Sequence, residues 1–261
     1  MQADKVREFW DIQAEVHGQD GRATAPDHFY RDMEINRIID HLGEEETVLD
    51  VGCGNGYSTF KFAEARPKCA WNGIDYSKEM ITQARKTRDL KYGDIYAPLF
   101  AQADIRKSLD YPNSTFDTII SERCLINLAN WGEQQQALLN MKKVLKPKGK
   151  IILVENVIDG LKRLNGLRQS YGLPDIEVRW HNQYLPQKEL VDFCSKHFNI
   201  EHYANIGGMY YVISRVIYAA MAKKSGEEIS YDHPINEMAS KLPHIACPYS
   251  PNYLFVLRNR P

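Results

Sequence analysis

Disulfide chemistry, an excess of charge of one sign and long apolar runs are all missing from this chain, and each absence removes a class of function. Five cysteines occur in 261 residues (Cys53, Cys69, Cys124, Cys194 and Cys247), none in a C-x-x-C pair. An odd set without ligand spacing builds neither a disulfide framework nor a thiolate metal site. No metal is expected, and the thiols read as reduced, as in a cytoplasm. Lysine and arginine total 33 against 34 acids, giving a formal net charge of −1 and an isoelectric point near 6.7. That balance gives no general attraction to nucleic acid, and no basic stripe with aromatics offers a platform for one. The most apolar long stretch, 212–222, is broken by Ser214 and Arg215 and is too short to span a bilayer. The opening MQADKVREFW lacks the apolar core of a secretory signal. Repeats and low-complexity tracts do not occur. With 43% hydrophobic residues, the chain has the material for one α/β domain with insertions, and a small molecule is its expected partner. Nothing in the composition fixes an oligomeric state.

Residues 48–56 carry the most information. Val48-Leu49-Asp50-Val51 reads as an apolar strand end, Gly52, Gly54 and Gly56 follow at alternate positions, and 57–65 has helical character. Glycines at a strand-to-helix turn allow positive φ and let a ligand touch the backbone, whose free amides at the helix start face it. At Cys53, inside the turn, the backbone is the useful part. A dinucleotide site with G-x-G-x-x-G spacing from Gly52 would need glycine at 57, where the chain has Tyr57. The carboxylate of Asp50, so near the turn, would repel a pyrophosphate and suits a ligand carrying an ammonium group and a sulfonium. A second strand, 70–75, ends in Asp75, where nucleotide-binding α/β folds hydrogen-bond a ribose. Ser77 then reads as the N-cap of the next helix, with Met80 on its buried side.

On these residues the chain resembles the class I S-adenosylmethionine-dependent methyltransferases, whose first motif has the D-x-G-x-G-x-G form. The likeness extends over roughly residues 45–156. Phe116–Glu122 has the form of the fourth motif, and VLKPKGKIILVE (144–155) looks like the turn into the fifth strand. The resemblance implies a Rossmann-like, doubly wound, mostly parallel seven-stranded sheet, with S-adenosylmethionine as cofactor. It implies that Asp75 holds the ribose hydroxyls and that Tyr76 or Met80 packs on adenine. Asp104 and Ile105 would recognise adenine's edge, and Glu122 would end the strand that faces the methyl group. The organisation expected is a helical lid at 1–43, a cofactor-binding core at 44–156, and substrate-recognition insertions with the final strands at 157–261.

Val6, Phe9 and Trp10 share one helical face within 4–16, which suits either a lid or plain core packing; 17–28 reads as a mobile loop. Helices are expected at 133–145 and 187–197, and a last strand at 253–257. The back half should choose the acceptor. An oxygen acceptor entering as a hydroxyl needs a base, whereas a neutral amine or thiolate already offers its lone pair. Ser121-Glu122-Arg123-Cys124 stands where N-methylating relatives carry [N/D]-P-P-[Y/F], so an oxygen on a small sugar- or phosphate-bearing metabolite is the reading followed. His181, in Trp180-His181-Asn182-x-Tyr184, is the first candidate base, with an ordinary pKa near neutrality. A histidine tied to the backbone is its rival reading. His233, beside Asp232 and Pro234, and His28 are the other candidates. Trp180, Asn182, Tyr184, Tyr210, Tyr211 and Arg215 are candidate acceptor contacts, Arg215 suiting a phosphate or carboxylate or else standing as a solvated strand charge. Methylation of a small amine, an NAD-dependent oxidoreductase and a non-catalytic cofactor-binding module remain as alternatives.

Overall fold

The computed structural model describes residues 2–91 and 97–260. Two helices come first, α1 (Gln2–His17) and α2 (His28–Ile39), the second capped by Asp27, whose side chain accepts from the Tyr30 amide at 3.1 Å. The core then alternates β1 (Thr47–Val51), α3 (Tyr57–Ala65), β2 (Ala70–Asp75), α4 (Lys78–Lys91), β3 (Leu99–Gln102) and β4 (Phe116–Glu122). A short 3₁₀ turn at Leu125–Asn127 leads to α5 (Trp131–Val144) and β5 (Leu145–Asn156). In the back half α6 (Ile158–Ser170) is followed by irregular chain, α7 (Gln187–His197), β6 (Phe198–Asn205) and α8 (Gly208–Val212). The helix continues through a π turn at Ile213–Ile217 into α9 (Tyr218–Ser225), and α10 (Pro234–Ser240) and β7 (Asn252–Asn259) complete the fold.

The strands form one seven-stranded sheet in the order β3-β2-β1-β4-β5-β7-β6, with β7 antiparallel to both neighbours and the other pairs parallel. Alternation along the central strands explains the two covered faces. Val48, Ile120 and Ile152 meet Ile35 and Ile38 of α2 and Phe62 of α3. Their neighbours Leu49, Ile119 and Ile151 meet Leu138 and Met141 of α5 and Leu190 of α7. Strand order reverses between β1 and β4, and a crevice beyond the carboxyl ends of such strands is where open α/β sheets bind ligands.

Two local expectations are corrected. Residues 17–28 are packed chain: a 3₁₀ turn spans Gly21–Ala23, Ala23 and Ala25 are buried, and Asn55 Nδ2 donates to the Gly18 and Asp20 carbonyls at 2.9 Å. The glycine turn itself therefore holds this segment down. Arg215 lies in the π turn of a helix and is no strand charge. Among the described residues no helix is long and apolar enough to cross a membrane.

Candidate active site

The glycine turn joins β1 to α3 with Gly52 at φ 77°, Gly54 at 54° and Gly56, the N-cap of α3, at 81°. Space is as restrictive as φ: a Cβ on Gly52 would lie 2.6 Å from Cys124 Sγ, and one on Gly56 would lie 2.9 Å from the Phe60 ring. Asp50 lies under the turn, buried, accepting from Thr59 Oγ1 at 2.5 Å, and burial pushes its pKa up to about 7. Asp75 braces the turn from β2. Its Oδ2 accepts from the Gly54 amide at 2.9 Å and its Oδ1 from the Ser77 amide at 2.8 Å. Burial raises its pKa to about 6, against those hydrogen bonds.

One cavity opens above the carboxyl ends of β1, β2 and β4, and Asp50, Gly52, Cys53, Gly54, Asp75 and Glu122 all line it. At its cofactor end Tyr76 lies between two guanidiniums, Arg7 at 5.4 Å and Arg106 at 5.1 Å from the ring centre, while Met80 and Ile105 add apolar surface. Burial would raise Asp104, but hydrogen bonds from Arg106 to both carboxylate oxygens, each 2.8 Å, outweigh it and lower the pKa. Oδ1 also accepts from the Arg106 amide at 3.0 Å, so Oδ2 is the oxygen that keeps a second lone pair for another donor. Gly56 shapes the turn from behind and does not line the cavity.

A guanidinium and a carboxylate also share one wall. Arg31 of α2 donates to Ser58 Oγ at 3.1 Å, and Ser58 Oγ donates to Glu122 Oε2 at 2.7 Å. Arg31 Nε and Glu122 Oε1 are buried with no hydrogen-bond partner in the protein. An orphaned donor and an orphaned acceptor of opposite charge fit a ligand end bearing both a carboxylate and an ammonium, as S-adenosylmethionine does. Sequence reasoning missed Arg31. Its signal was a charged residue on the period that places Ile35 and Ile38 in the core.

α1 roofs this end. Trp10 Nε1 donates to Asn127 Oδ1 at 3.2 Å, Ser77 Oγ to Asp11 Oδ1 at 2.5 Å, and Phe9 stacks on His181 with ring centres 4.3 Å apart.

The far half of the cavity is lined by Arg123, Asn156, Tyr184, Tyr211, Arg215 and Tyr231, with Leu161, Leu164 and Ile176 as apolar wall. Arg123, immediately after β4, has φ 52°, an uncommon setting for a side chain other than glycine. Its amide donates to the Val154 carbonyl at 2.7 Å. Its guanidinium lies 3.2 Å from Oε2 of Glu34, a fully buried residue whose Oε1 accepts from Asn252 Nδ2 at 3.0 Å. Burial pushes Glu34 up to about 8, with Arg123 opposing. Arg215 pairs with Asp27 and lies over the rings of Tyr210, Tyr211 and Tyr231. Tyr210 stays behind the wall, donating to Asp27 at 2.7 Å.

The three histidines separate. His181 lines the cavity, but burial, with Arg179 adding to it, lowers its pKa to about 4, so the expected ordinary value near neutrality does not hold. Nδ1 is buried without a hydrogen-bond partner, so the ring is not tied to the backbone either. His233 lies outside the cavity: its Nδ1 accepts from the Ile235 amide at 3.2 Å, capping α10, and its ring stacks on Tyr218. His28 also lies outside, 3.3 Å from Asp232 and against Phe29. Trp180 is exposed beyond the far wall, edge-on to His181, while Asn182 and Tyr184 belong to the wall itself.

A family model described as a methyltransferase domain matches residues 42–197, more than half of the chain. An uncharacterized methyltransferase of Schizosaccharomyces pombe is 30% identical over 137 residues, covering 50% of this chain and 48% of that protein. A phosphatidylethanolamine N-methyltransferase of Cereibacter sphaeroides is 26% identical over 145 residues, 56% of this chain and 68% of its own. The chain spans about half the length of the first curated relatives it matches. Among solved structures, a geranyl diphosphate methyltransferase in complex with GPP and sinefungin superposes with a TM-score of 0.61 at 11% identity, covering 99% of both chains. At that identity the likeness concerns the fold alone.

Proposed function

As the chain belongs to the class I S-adenosylmethionine-dependent methyltransferases, we propose that it methylates an oxygen of a small acceptor held in the far half of this cavity. The continuity of the cavity carries the reading: carboxylates that suit ribose and ammonium line one end, and tyrosines, arginines and apolar side chains line the other, under one roof. Bound S-adenosylmethionine supplies an electrophilic methyl group on a sulfonium. The protein's part is alignment of donor and acceptor and exclusion of water. In this assignment Asp75 accepts from the ribose hydroxyls, Tyr76, Met80 and Ile105 pack on the base, and Asp104 accepts from its exocyclic amine. Arg31 and Glu122 take the carboxylate and ammonium. Phe9, Trp10 and His181 close the roof, leaving an acceptor little beyond the size of a metabolite.

Calorimetry with S-adenosylmethionine, S-adenosylhomocysteine and NAD tests the cofactor assignment. Micromolar binding of both sulfur ligands without NAD is expected, and NAD binding in their place would overturn it. The Cereibacter relative acts on an amine, so amines belong in the acceptor screen. Transfer to an amine with none to oxygen would replace the oxygen reading.

A further inference from the structure

A hydroxyl acceptor must shed a proton, and the cavity offers no imidazole of ordinary basicity to receive it. His181 sits at about 4, and His28 and His233 face away. Among the other charges here, Arg215 is held by Asp27 and Glu122 accepts from Ser58, while Glu177 and Arg179 stand exposed at the cavity's edge. Arg123 differs. Its Nε has no hydrogen-bond partner, and its counter-charges are Glu34, wholly buried behind it, and Glu122, whose Oε1 lies 4.0 Å away. Burial raises Glu34 and so loosens its hold on Arg123, whose unpartnered Nε is left to meet a group in the cavity. Next to it the wall turns apolar, with Leu161, Leu164 and Ile176 from α6 and the chain that follows.

We propose that the acceptor is a small carboxylic acid with an apolar body, its carboxylate held by Arg123 and its body laid against Leu161, Leu164 and Ile176. The inference rests on the oxygen reading above and removes its missing base, because a carboxylate already presents its lone pair. As the O–CH₃ bond forms, the S–CH₃ bond breaks and its electron pair stays on sulfur. Carboxylate and sulfonium both become neutral, giving a methyl ester and a thioether, and no proton moves. The ester has lost the charge that Arg123 held, which favours release. A planar guanidinium matches a planar carboxylate.

The test uses the full chain saturated with S-adenosylhomocysteine, titrated calorimetrically with benzoate, cyclohexanecarboxylate and hexanoate, and with the alcohol and amine of each carbon skeleton. The acids are expected to bind at least about tenfold more tightly than their matched alcohols and amines. With methyl-labelled S-adenosylmethionine, the label in the product should be released as methanol by mild alkali. Arg123→Gln should weaken acid binding about tenfold while the affinity for S-adenosylhomocysteine stays within about twofold. Should that variant not fold, the acid-to-alcohol ratio of the unaltered protein decides. Alcohols that bind as well as acids, or label that resists alkali on an alcohol oxygen, overturn the carboxylate and leave the oxygen reading standing. Label on amine nitrogen removes both, and failure to bind S-adenosylhomocysteine removes the cofactor assignment beneath them.

Discussion

Asp75 braces the Gly54 amide, and in the proposed assignment it also offers lone pairs to a ribose; its raised pKa of about 6 makes that second role depend on pH. The hydroxyls donate, so the ionised carboxylate is the binding form. It predominates above pH 6 and is lost as the pH falls through that value. Asp75→Asn should therefore weaken S-adenosylhomocysteine at least about tenfold at pH 8, about 1.4 kcal/mol. It should also flatten the fall in affinity that the unaltered protein shows below pH 6; calorimetry at pH 5 and 8 measures both. Asp75 could be found by reading the chain because a strand end at fixed distance from a glycine turn has one geometry. Arg31 and Arg123 could not. Arg31 comes from a helix preceding the first strand, and Arg123 owes its direction to a left-handed φ and to Glu34, 89 positions earlier (123 minus 34), which no local pattern reports.

At the scale of elements, Asp27 ties the front of the chain to the back. It caps α2 through the Tyr30 amide, accepts from the Tyr210 hydroxyl on α8 and pairs with Arg215 in the π turn. π turns inside α-helices recur at functional sites, and this one brings Arg215 to the cavity wall. Sequence periodicity placed α1, α5 and α7 because each carries a clean apolar stripe. The helix across 208–225 was not legible, since it starts at a Gly207-Gly208 pair, a sequence that gives no helix-start signal. In the fold both are tight contacts, a Cβ on Gly207 meeting Ser250 Oγ at 1.9 Å and one on Gly208 the Ile245 carbonyl at 2.4 Å. Asp27→Ala strands a nearly buried guanidinium, a buried tyrosine hydroxyl and a helix start together. A loss of about 3 kcal/mol is expected, read as a lower urea midpoint at unchanged slope. A change under about 0.5 kcal/mol would mean that the pair is replaced by solvent without cost.

Taken whole, the molecule stores its cofactor pocket beneath an element that contributes little to the sheet. α1 packs on α4 and the segment after it, touches the back half through Phe9 and His181, and supplies Arg7 and Asp11 over the base end of the cavity. The roof is pinned over this end at Trp10–Asn127 and Asp11–Ser77, so lifting α1 is the route of entry we expect. Lifting breaks few contacts, because Val6 and Ala14 are its only fully buried apolar residues among those described. Such an element opens locally, without global unfolding. Bound cofactor adds contacts on the inner face of α1 and should shift that local equilibrium by RT ln(1 + [L]/Kd), about 2.7 kcal/mol at a hundredfold excess over Kd. Hydrogen exchange across 5–15 should be faster than in β1 and β4 before ligand is added, and should slow roughly a hundredfold when S-adenosylhomocysteine is added at that excess. Equal protection of α1 and the central strands before ligand is added would show that α1 opens only when the whole sheet does, and entry would have to pass between the acceptor walls at Asn182 and Tyr184 instead.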